Sequence, residues 1–289
     1  MSLINGYSSK RILILGASGF LGNTLYKELH SYFDVYGTYT HQVGSYKENK
    51  AFIKFDAEKD DIQLILDKYK PSIIISAFKT ELSSAIRTLE ALKTYCTTTK
   101  SRLIFLSSYE VFDAKSEFPS YEHDAPLSIS SNGKALIKLE KVVRELSNSL
   151  FTLVRLPLVL GVNSPKLVQL KQAIKHHAEF EILPHMVVSI ISNDRMAQQL
   201  HYLINHNLNG IYHLSSEDVI HHEDIFIELA GKISHKPPIF KRVFSSNEDR
   251  FLALLSKENK LPKHYRFSAA DVISESSLKD EITTLKNSI

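Results

Sequence analysis

Three glycines are the first residues whose types and spacing could do chemistry. GASGFLG, Gly16 to Gly22, lies between an apolar run, RILIL, and a stretch of helical periodicity. In a turn from strand to helix, Gly16 permits the tight reversal and Gly19 lets a backbone approach a pyrophosphate. Gly22 allows the helix to pack closely on the strand. The helix start then offers unpaired N–H groups and a partial positive charge to an anion. Ser18, Phe20 and Leu21 complete the expected lining, although the same glycines could also serve a tight turn that holds no ligand. The tip of the next strand, GTYTHQ, bears on which dinucleotide such a turn would take. An acid there would hold the ribose hydroxyls of NAD. Thr38, Tyr39, Thr40 and His41 include none, which mildly favours NADP over NAD. Thr40 and His41 are the candidates at that tip. No arginine follows to hold a 2′-phosphate, but Lys47 and Lys50 are within loop reach.

The elements that must position these residues are legible from periodicity. RILILG reads as a strand buried on both faces, and ASGFLGNTLYKELHSYF has helical spacing through Leu21, Leu25 and Leu29. DVYGTYT, AFIKFD, PSIIISAF and SRLIFLSS read as the second to fifth strands, with DIQLILDKYK and LSSAIRTLEALKTYC as helices among them. A helix starting near Asn132 precedes a sixth strand, LFTLVRLPLVLG. This alternation predicts an α/β fold, a Rossmann-type doubly wound parallel sheet. After Gly161 the rhythm loosens into KLVQLKQAIKHH (helix), MVVSIIS (extended), DRMAQQLHYLINH (helix), GIYHLSS (strand) and HEDIFIELAGKI (helix). Residues 1–160, rejoined by 186–208, are expected to form the dinucleotide-binding domain. Residues 161–185 and 209–289 are expected to form a smaller substrate-binding lobe.

Three stretches beyond the glycine turn carry a resemblance. LSSYEVFDA (106–114) has serines at a strand end followed closely by Val-Phe-Asp. FPSYEHDAP (118–126) leads into the helix at Asn132. GIYHLSSEDVIHHEDIFIELAGKI (210–233) places a Gly-Ile-Tyr-His strand before a helix. Together they resemble the extended short-chain dehydrogenase/reductases, in particular the dTDP-4-dehydrorhamnose reductase-like, sugar-nucleotide-binding branch. The resemblance implies that Asp56 and Ala57 sit beside the adenine and that Ser76, Ala77 and Phe78 line the middle of the cofactor. It puts Ser107 and Ser108 near the nicotinamide, with Ser108 matching a catalytic Ser/Thr, and Arg155 and Pro157 at the end of the sixth strand. Serines at strand ends also commonly cap or turn the chain.

Against that family the chain departs at its most chemical positions. The family's Tyr-Gly-x-x-Lys-x-x-x-Glu pattern falls on NGKALIKLE, where Gly133 and Glu140 agree but Asn132 and Leu136 replace the Tyr and the Lys. Residues i and i+4 share a helix face, so that pair would present a phenol proton donor and an ammonium that lowers its pKa. Lys138 and Lys134 project from other sides of the helix, and Tyr121 matches a loop tyrosine. Tyr109, beside Ser108, is the remaining candidate for a substitute donor. An amide such as that of Asn132 donates and accepts hydrogen bonds but supplies no proton near pH 7. The segment between Thr80 and Ser107 is also shorter than in the family and lacks its active-site Asn. Two readings stay open. One is an NAD(P)- and sugar-nucleotide-binding protein with conventional hydride transfer impaired, acting as a cofactor-responsive regulatory subunit or scaffold. The other is a working NAD(P)H-dependent reductase or epimerase of a nucleotide-linked deoxysugar with a substitute donor.

Bulk properties exclude other classes. Thirty-five basic residues against 32 acidic ones leave a net charge of +3, with no dense basic block of the kind that marks a nucleic-acid binder. No apolar run reaches the roughly 18–20 residues of a membrane span, and a lone cysteine, Cys96, excludes an internal disulfide. The expected compartment is therefore cytoplasmic. Thirteen histidines invite a metal reading, but His176-His177 and His221-His222 are adjacent pairs whose side chains diverge, and no metal is expected. KHYRF (263–267) could touch an anionic substrate or simply be a solvated face with two buried aromatics. A homodimer or a regulatory partner protein is an expectation by analogy.

Overall fold

The computed structural model describes residues 10–40, 46, 48–244 and 246–276. The chain opens with β1 (Arg11–Leu15), α1 (Phe20–Leu29), β2 (Asp34–Tyr39), β3 (Phe52–Lys54), α2 (Ile62–Tyr69) and β4 (Ile73–Ser76). It continues through α3 (Leu82–Thr99), β5 (Arg102–Ser108), α4 (Ser131–Arg144), β6 (Phe151–Leu156) and β7 (Leu158–Leu160). Then come α5 (Pro165–His176), β8 (Glu179–Ile182), β9 (Met186–Val188), β10 (Ile190–Ser192) and α6 (Asn193–Asn205). The last elements are β11 (Gly210–His213), β12 (Ile220–His221), α7 (His222–Ile233), β13 (Ile239–Arg242), β14 (Arg250–Leu252) and α8 (Ala269–Ser276).

Seven strands form the central sheet in the order β11-β6-β5-β4-β1-β2-β3. The strand order reverses at β1, with parallel pairing to β2 on one side and β4 on the other. This is the expected Rossmann-type doubly wound sheet, and the reversal is where such sheets bind ligands. Burial explains the composition: Ile12, Leu13, Ile14 and Leu15 have no exposed surface, and neither have Ile74 and Ile75. Each such side chain contributes roughly 1.5–3 kcal/mol on leaving water. The stretch GIYH, read with the C-terminal segment, is the seventh strand of this sheet.

One expected strand divides. LFTLVRLPLVLG is β6 and then β7, because the buried Pro157 has no N–H to offer a ladder. β7 instead pairs in parallel with β10. α3 runs to Thr99, beyond its expected end, and the hydroxyls of Thr97, Thr98 and Thr99 each donate to the carbonyl four residues back.

Contacts group the described residues into two compact units. The first draws on Met1–Leu106, Lys138–Leu153 and Leu203–Gly210. Its helices α1 and α2 bury Leu25, Leu29, Ile62, Ile65 and Leu66. The second draws on Ser107–Ile137, Val154–Tyr202 and Ile211–Ile289. It holds the β7–β10 pair, a three-stranded sheet β12-β9-β14 and a parallel β13–β8 pair. Phe180 of β8 packs on Phe226 of α7 with ring centroids 5.0 Å apart.

Candidate functional site

In the first unit the glycine turn is held by its surroundings. Gly16 has φ +81°, and a Cβ there would come within 2.8 Å of the Ala77 carbonyl oxygen and the Phe78 Cα. The structure thus brings Ala77 and Phe78 against Gly16, while the buried Ser76 pairs with Leu15. A Cβ on Gly22 would lie 2.2 Å from the Gly16 carbonyl oxygen. Gly19 differs: it is exposed, and its nearest neighbour would be that same oxygen at 3.3 Å. Its extended backbone caps α1, its N–H donates to Gly16 O at 3.0 Å, and no side chain caps the helix. α1 carries no acid in its first turn, while Ser18, Phe20 and Leu21 are half-buried around it.

Thr38 was not among the expected lining residues. Its hydroxyl, 2% exposed, accepts the Gly16 N–H at 2.9 Å and fixes the turn from the neighbouring strand. Beside it, Gly37 leaves room for Ala17, whose Cβ would lie 2.4 Å from a Cβ at position 37. The available signal was a small pair, Gly-Thr, placed opposite the turn by the β1–β2 register.

The other nucleotide-side candidates have local duties. Thr40 donates to the Phe55 carbonyl at 3.0 Å. Asp56 accepts the Glu58 N–H at 3.1 Å and pairs with Lys59 at 3.3 Å. Ala57 is buried and its carbonyl accepts from Arg87 at 2.5 Å. Lys50 is exposed. His41 and Lys47 lie outside the described residues.

In the second unit, Ser108 accepts the Glu110 N–H at 3.3 Å and so caps the 3₁₀ turn Tyr109–Phe112. Ser107 is buried. Tyr109 is half-buried and packs, with Leu136 and Ile137, against Val111, Phe112 and Leu254. Burial pushes its phenol up to about 12, and the nearby charges of Glu110 and Asp113 add to the rise. Asn132 donates its side-chain amide to the Glu110 carboxylate. A Cβ on Gly133 would lie 2.1 Å from the Glu110 carbonyl oxygen and the Ser128 hydroxyl, so glycine lets α4 press on the 3₁₀ turn.

The Val-Phe-Asp block acts as a joint. Asp113 accepts backbone N–H groups from Ile129 at 2.7 Å and Ser130 at 3.3 Å. Burial alone would raise its pKa, but hydrogen bonds from Ser130, Ile129 and Ser128 bring it below the usual carboxylate value. Phe112 meets the Arg155 guanidinium at 4.8 Å. Arg155 has no exposed surface and donates to the Glu122 carbonyl at 3.0 Å. His213 closes the group, with Nε2 at 3.4 Å from Arg155. Burial lowers its pKa to about 4, with the Arg155 charge adding and that of Glu122 opposing, so it is neutral at pH 7. Pro157 is buried at the β6–β7 break.

His221 and His222 turn to different partners, His221 Nδ1 lying 2.9 Å from the Pro184 carbonyl oxygen. His221 caps α7, whose first turn holds Glu223 and Asp224 as expected for the positive helix end. His222 is buried and its Nδ1 accepts the Leu183 N–H at 3.3 Å.

Residues 10–236 match the family model of the RmlD substrate binding domain. Among curated proteins, none matches the chain by sequence. Solved structures similar to it include a hypothetical dTDP-4-dehydrorhamnose reductase from Sulfolobus tokodaii. That pair shares 19% identity with a TM-score of 0.73, over 84% of this chain and 91% of the other. The dTDP-4-dehydrorhamnose reductase from Bacillus anthracis, in complex with NADP, is 17% identical with a TM-score of 0.73, over 93% and 98%. The dTDP-glucose 4,6-dehydratase from the same organism, in complex with NAD, is 12% identical with a TM-score of 0.76, over 97% and 98%.

Proposed function

Since the chain belongs to the RmlD substrate binding domain family, we propose that it binds NAD(P) at the glycine turn and a nucleotide-linked sugar, with conventional hydride transfer impaired. The observation that carries the binding half is the cradle at Gly19: an exposed, Cβ-free backbone at a helix start with no side-chain cap and no acid in its first turn. That donor set fits a pyrophosphate. Similar proteins in complex with NADP and with NAD support the same reading and leave the choice between the two open, so the mild preference for NADP rests on the acid-free tip of β2.

The impaired half rests on α4. A bound nicotinamide would supply the hydride; the chain would have to supply a proton donor. Asn132 has no proton to give near pH 7, and its amide is engaged by Glu110. Leu136 packs in the apolar cluster and supplies no ammonium. Tyr109, the substitute considered from the sequence, has a phenol held near 12 by burial. Without a cation to lower that value it is a poor acid near neutrality, where donors tuned to the working pH are worth typically 10²–10⁴-fold. The half-buried environment of Tyr109 therefore favours the binding reading over that of an active reductase. A role as a cofactor-responsive subunit or scaffold follows from this pairing of a formed nucleotide turn with a disarmed helix.

The experiment restores the pair. The starting protein and the double variant Asn132→Tyr with Leu136→Lys are given NADPH or NADH and dTDP-4-dehydrorhamnose, and nicotinamide absorbance is followed. No turnover by the starting protein and measurable turnover by the double variant are expected. Turnover by the starting protein that the double variant leaves unchanged would sink the proposal.

A further inference from the structure

In the first unit the two sides of the glycine turn meet again at Tyr46, which takes no part in the reading above. On the helix side, the Asn23 side-chain amide of α1 donates to the Tyr46 hydroxyl at 3.3 Å, and the Asn23 N–H donates to the Gly19 carbonyl at 2.8 Å. On the strand side, the Tyr46 ring stacks on Tyr39, the last residue of β2, with centroids 5.9 Å apart and planes 25° apart. Tyr39 follows Thr38, whose hydroxyl accepts the Gly16 N–H. Phe52 of β3 meets the Tyr46 ring at 4.6 Å and the Tyr26 ring of α1 at 4.6 Å.

The turn that leads into β3 holds Tyr46 in this place. The Tyr46 carbonyl accepts the Asn49 N–H at 3.2 Å, the Asn49 carbonyl accepts the Phe52 N–H at 2.9 Å, and the Ala51 carbonyl accepts the Gly37 N–H at 2.9 Å. The two groups of Tyr46 act on different elements: the ring reaches β2 and β3, and the hydroxyl reaches α1. Burying a ring against Tyr39 and Phe52 needs no hydroxyl, so the bond to Asn23 is a separate feature. A dinucleotide needs both elements placed at once, its pyrophosphate at the start of the helix and its ribose at the tip of the second strand. That tip carries no acid. Affinity then depends on how well the two elements are set before the ligand arrives, because each group ordered on binding costs affinity.

We propose that Tyr46 is a positioning residue of the dinucleotide site: its ring fixes the tip of β2 and its hydroxyl, through Asn23, fixes the first turn of α1. The inference rests on the reading that NAD(P) binds at the glycine turn, and names the residue that presets that site. It requires no contact between Tyr46 and the ligand.

Titration of the full chain with NADPH and NADH, followed by their emission, tests it alongside thermal unfolding of each variant. Tyr46→Ala, which removes the ring and the hydroxyl, is expected to weaken both dinucleotides about tenfold or more. Tyr46→Phe and Asn23→Ala are each expected to weaken them about threefold, the worth of one neutral hydrogen bond. Tyr46→Phe keeps the ring and Asn23→Ala introduces a good helix former, so both are expected to unfold at the midpoint of the starting protein. Since they break the same bond, the double variant is expected to bind as each single variant does, which a general loosening of the fold would not produce. No binding of either dinucleotide by the starting protein refutes the glycine-turn reading and this inference with it. Where the starting protein binds, unchanged affinity in Tyr46→Phe, or single losses that add in the double variant, overturns the role of Tyr46 alone. Losses that follow the unfolding midpoint rather than the broken bond overturn it as well.

Discussion

Replacing Gly19 by alanine separates what the glycine turn does for a ligand from what it does for the fold. The backbone at Gly19 is extended, with φ −77° and ψ 168°, which any residue adopts. A methyl group there would meet only the Gly16 carbonyl oxygen, at 3.3 Å. Alanine is a poorer helix cap than glycine by roughly 0.5–1 kcal/mol, and the stiffer unfolded chain returns about 0.4–1 kcal/mol. The net change in stability is therefore below about 1 kcal/mol, a shift of at most roughly 2–4 °C in midpoint for a chain of this size. The same methyl projects from the exposed face where a phosphate must approach the helix N–H groups. Losing one charge-assisted hydrogen bond, worth about 1.5–3 kcal/mol, weakens dinucleotide binding roughly 10- to 100-fold. Gly22→Ala is the contrast, since its Cβ would lie 2.2 Å from the Gly16 oxygen and 2.9 Å from the Ala17 Cα, both backbone atoms that cannot swing away. Overpacking of that kind costs typically 1–3 kcal/mol or more, so this variant is expected to lose stability and binding together. The chain has no tryptophan, so NADPH and NADH emission reports binding directly, and thermal unfolding reports the fold. Wild-type affinity in Gly19→Ala, or a loss of stability equal to that of Gly22→Ala, would refute the assignment of Gly19 as the phosphate approach.

Two further outcomes follow from buried titratable groups. His213 and His222 are both lowered to about 4, first by burial, with Arg155 adding at the one and Lys166 at the other. Their folded values lie below the ordinary 6.5, so the unfolded chain binds more protons between about pH 4 and 6.5. The associated stability is present above pH 6.5 and lost as pH falls through that window, by on the order of 3 kcal/mol for each histidine. Urea midpoints should drop between pH 7 and 4.5, less steeply in His222→Gln; a flat profile would contradict the burial argument. Cys96 is fully buried and its thiol is pushed up to about 12. A thiol reagent at pH 8 should label the native chain only at the rate of opening and the urea-unfolded chain at once; rapid native labelling would be incompatible with that environment.

The parts of this molecule that were legible in the sequence are those whose cause is local. RILIL followed by three glycines and a Leu-periodic stretch contains its own strand, turn and helix, and β4 and β5 announce themselves as buried runs for the same reason. The short pairs β13–β8 and β14–β9 did not, because they join residues 60 or more positions apart along the chain. In β8, EFEI buries only Phe180 and Ile182, too brief an alternation to distinguish a strand from a loop. The same division runs through the candidate sites. Gly16, Gly19 and Gly22 could be named from spacing, but Thr38 could not, since a threonine inside a strand is ordinary until the β1–β2 register places its hydroxyl on the Gly16 N–H. The Val-Phe-Asp block could be matched as a pattern, yet its physical reason lies in contacts from Asp113 to Ile129 and from Phe112 to Arg155 and His213. Asn132 is the sharpest case. The sequence reveals which side chain stands on α4, while the carboxylate that holds it is on the 3₁₀ turn, 22 residues earlier. A substitution at 132 therefore releases Glu110 as well as changing the helix, and the restored tyrosine must share its surroundings with that carboxylate. Turnover by the double variant should accordingly rise further when Glu110 is changed to Gln, because a carboxylate beside a phenol at position 132 would hold that phenol's pKa up. If Glu110→Gln lowers the restored rate instead, the carboxylate supports the chemistry and the charge argument fails.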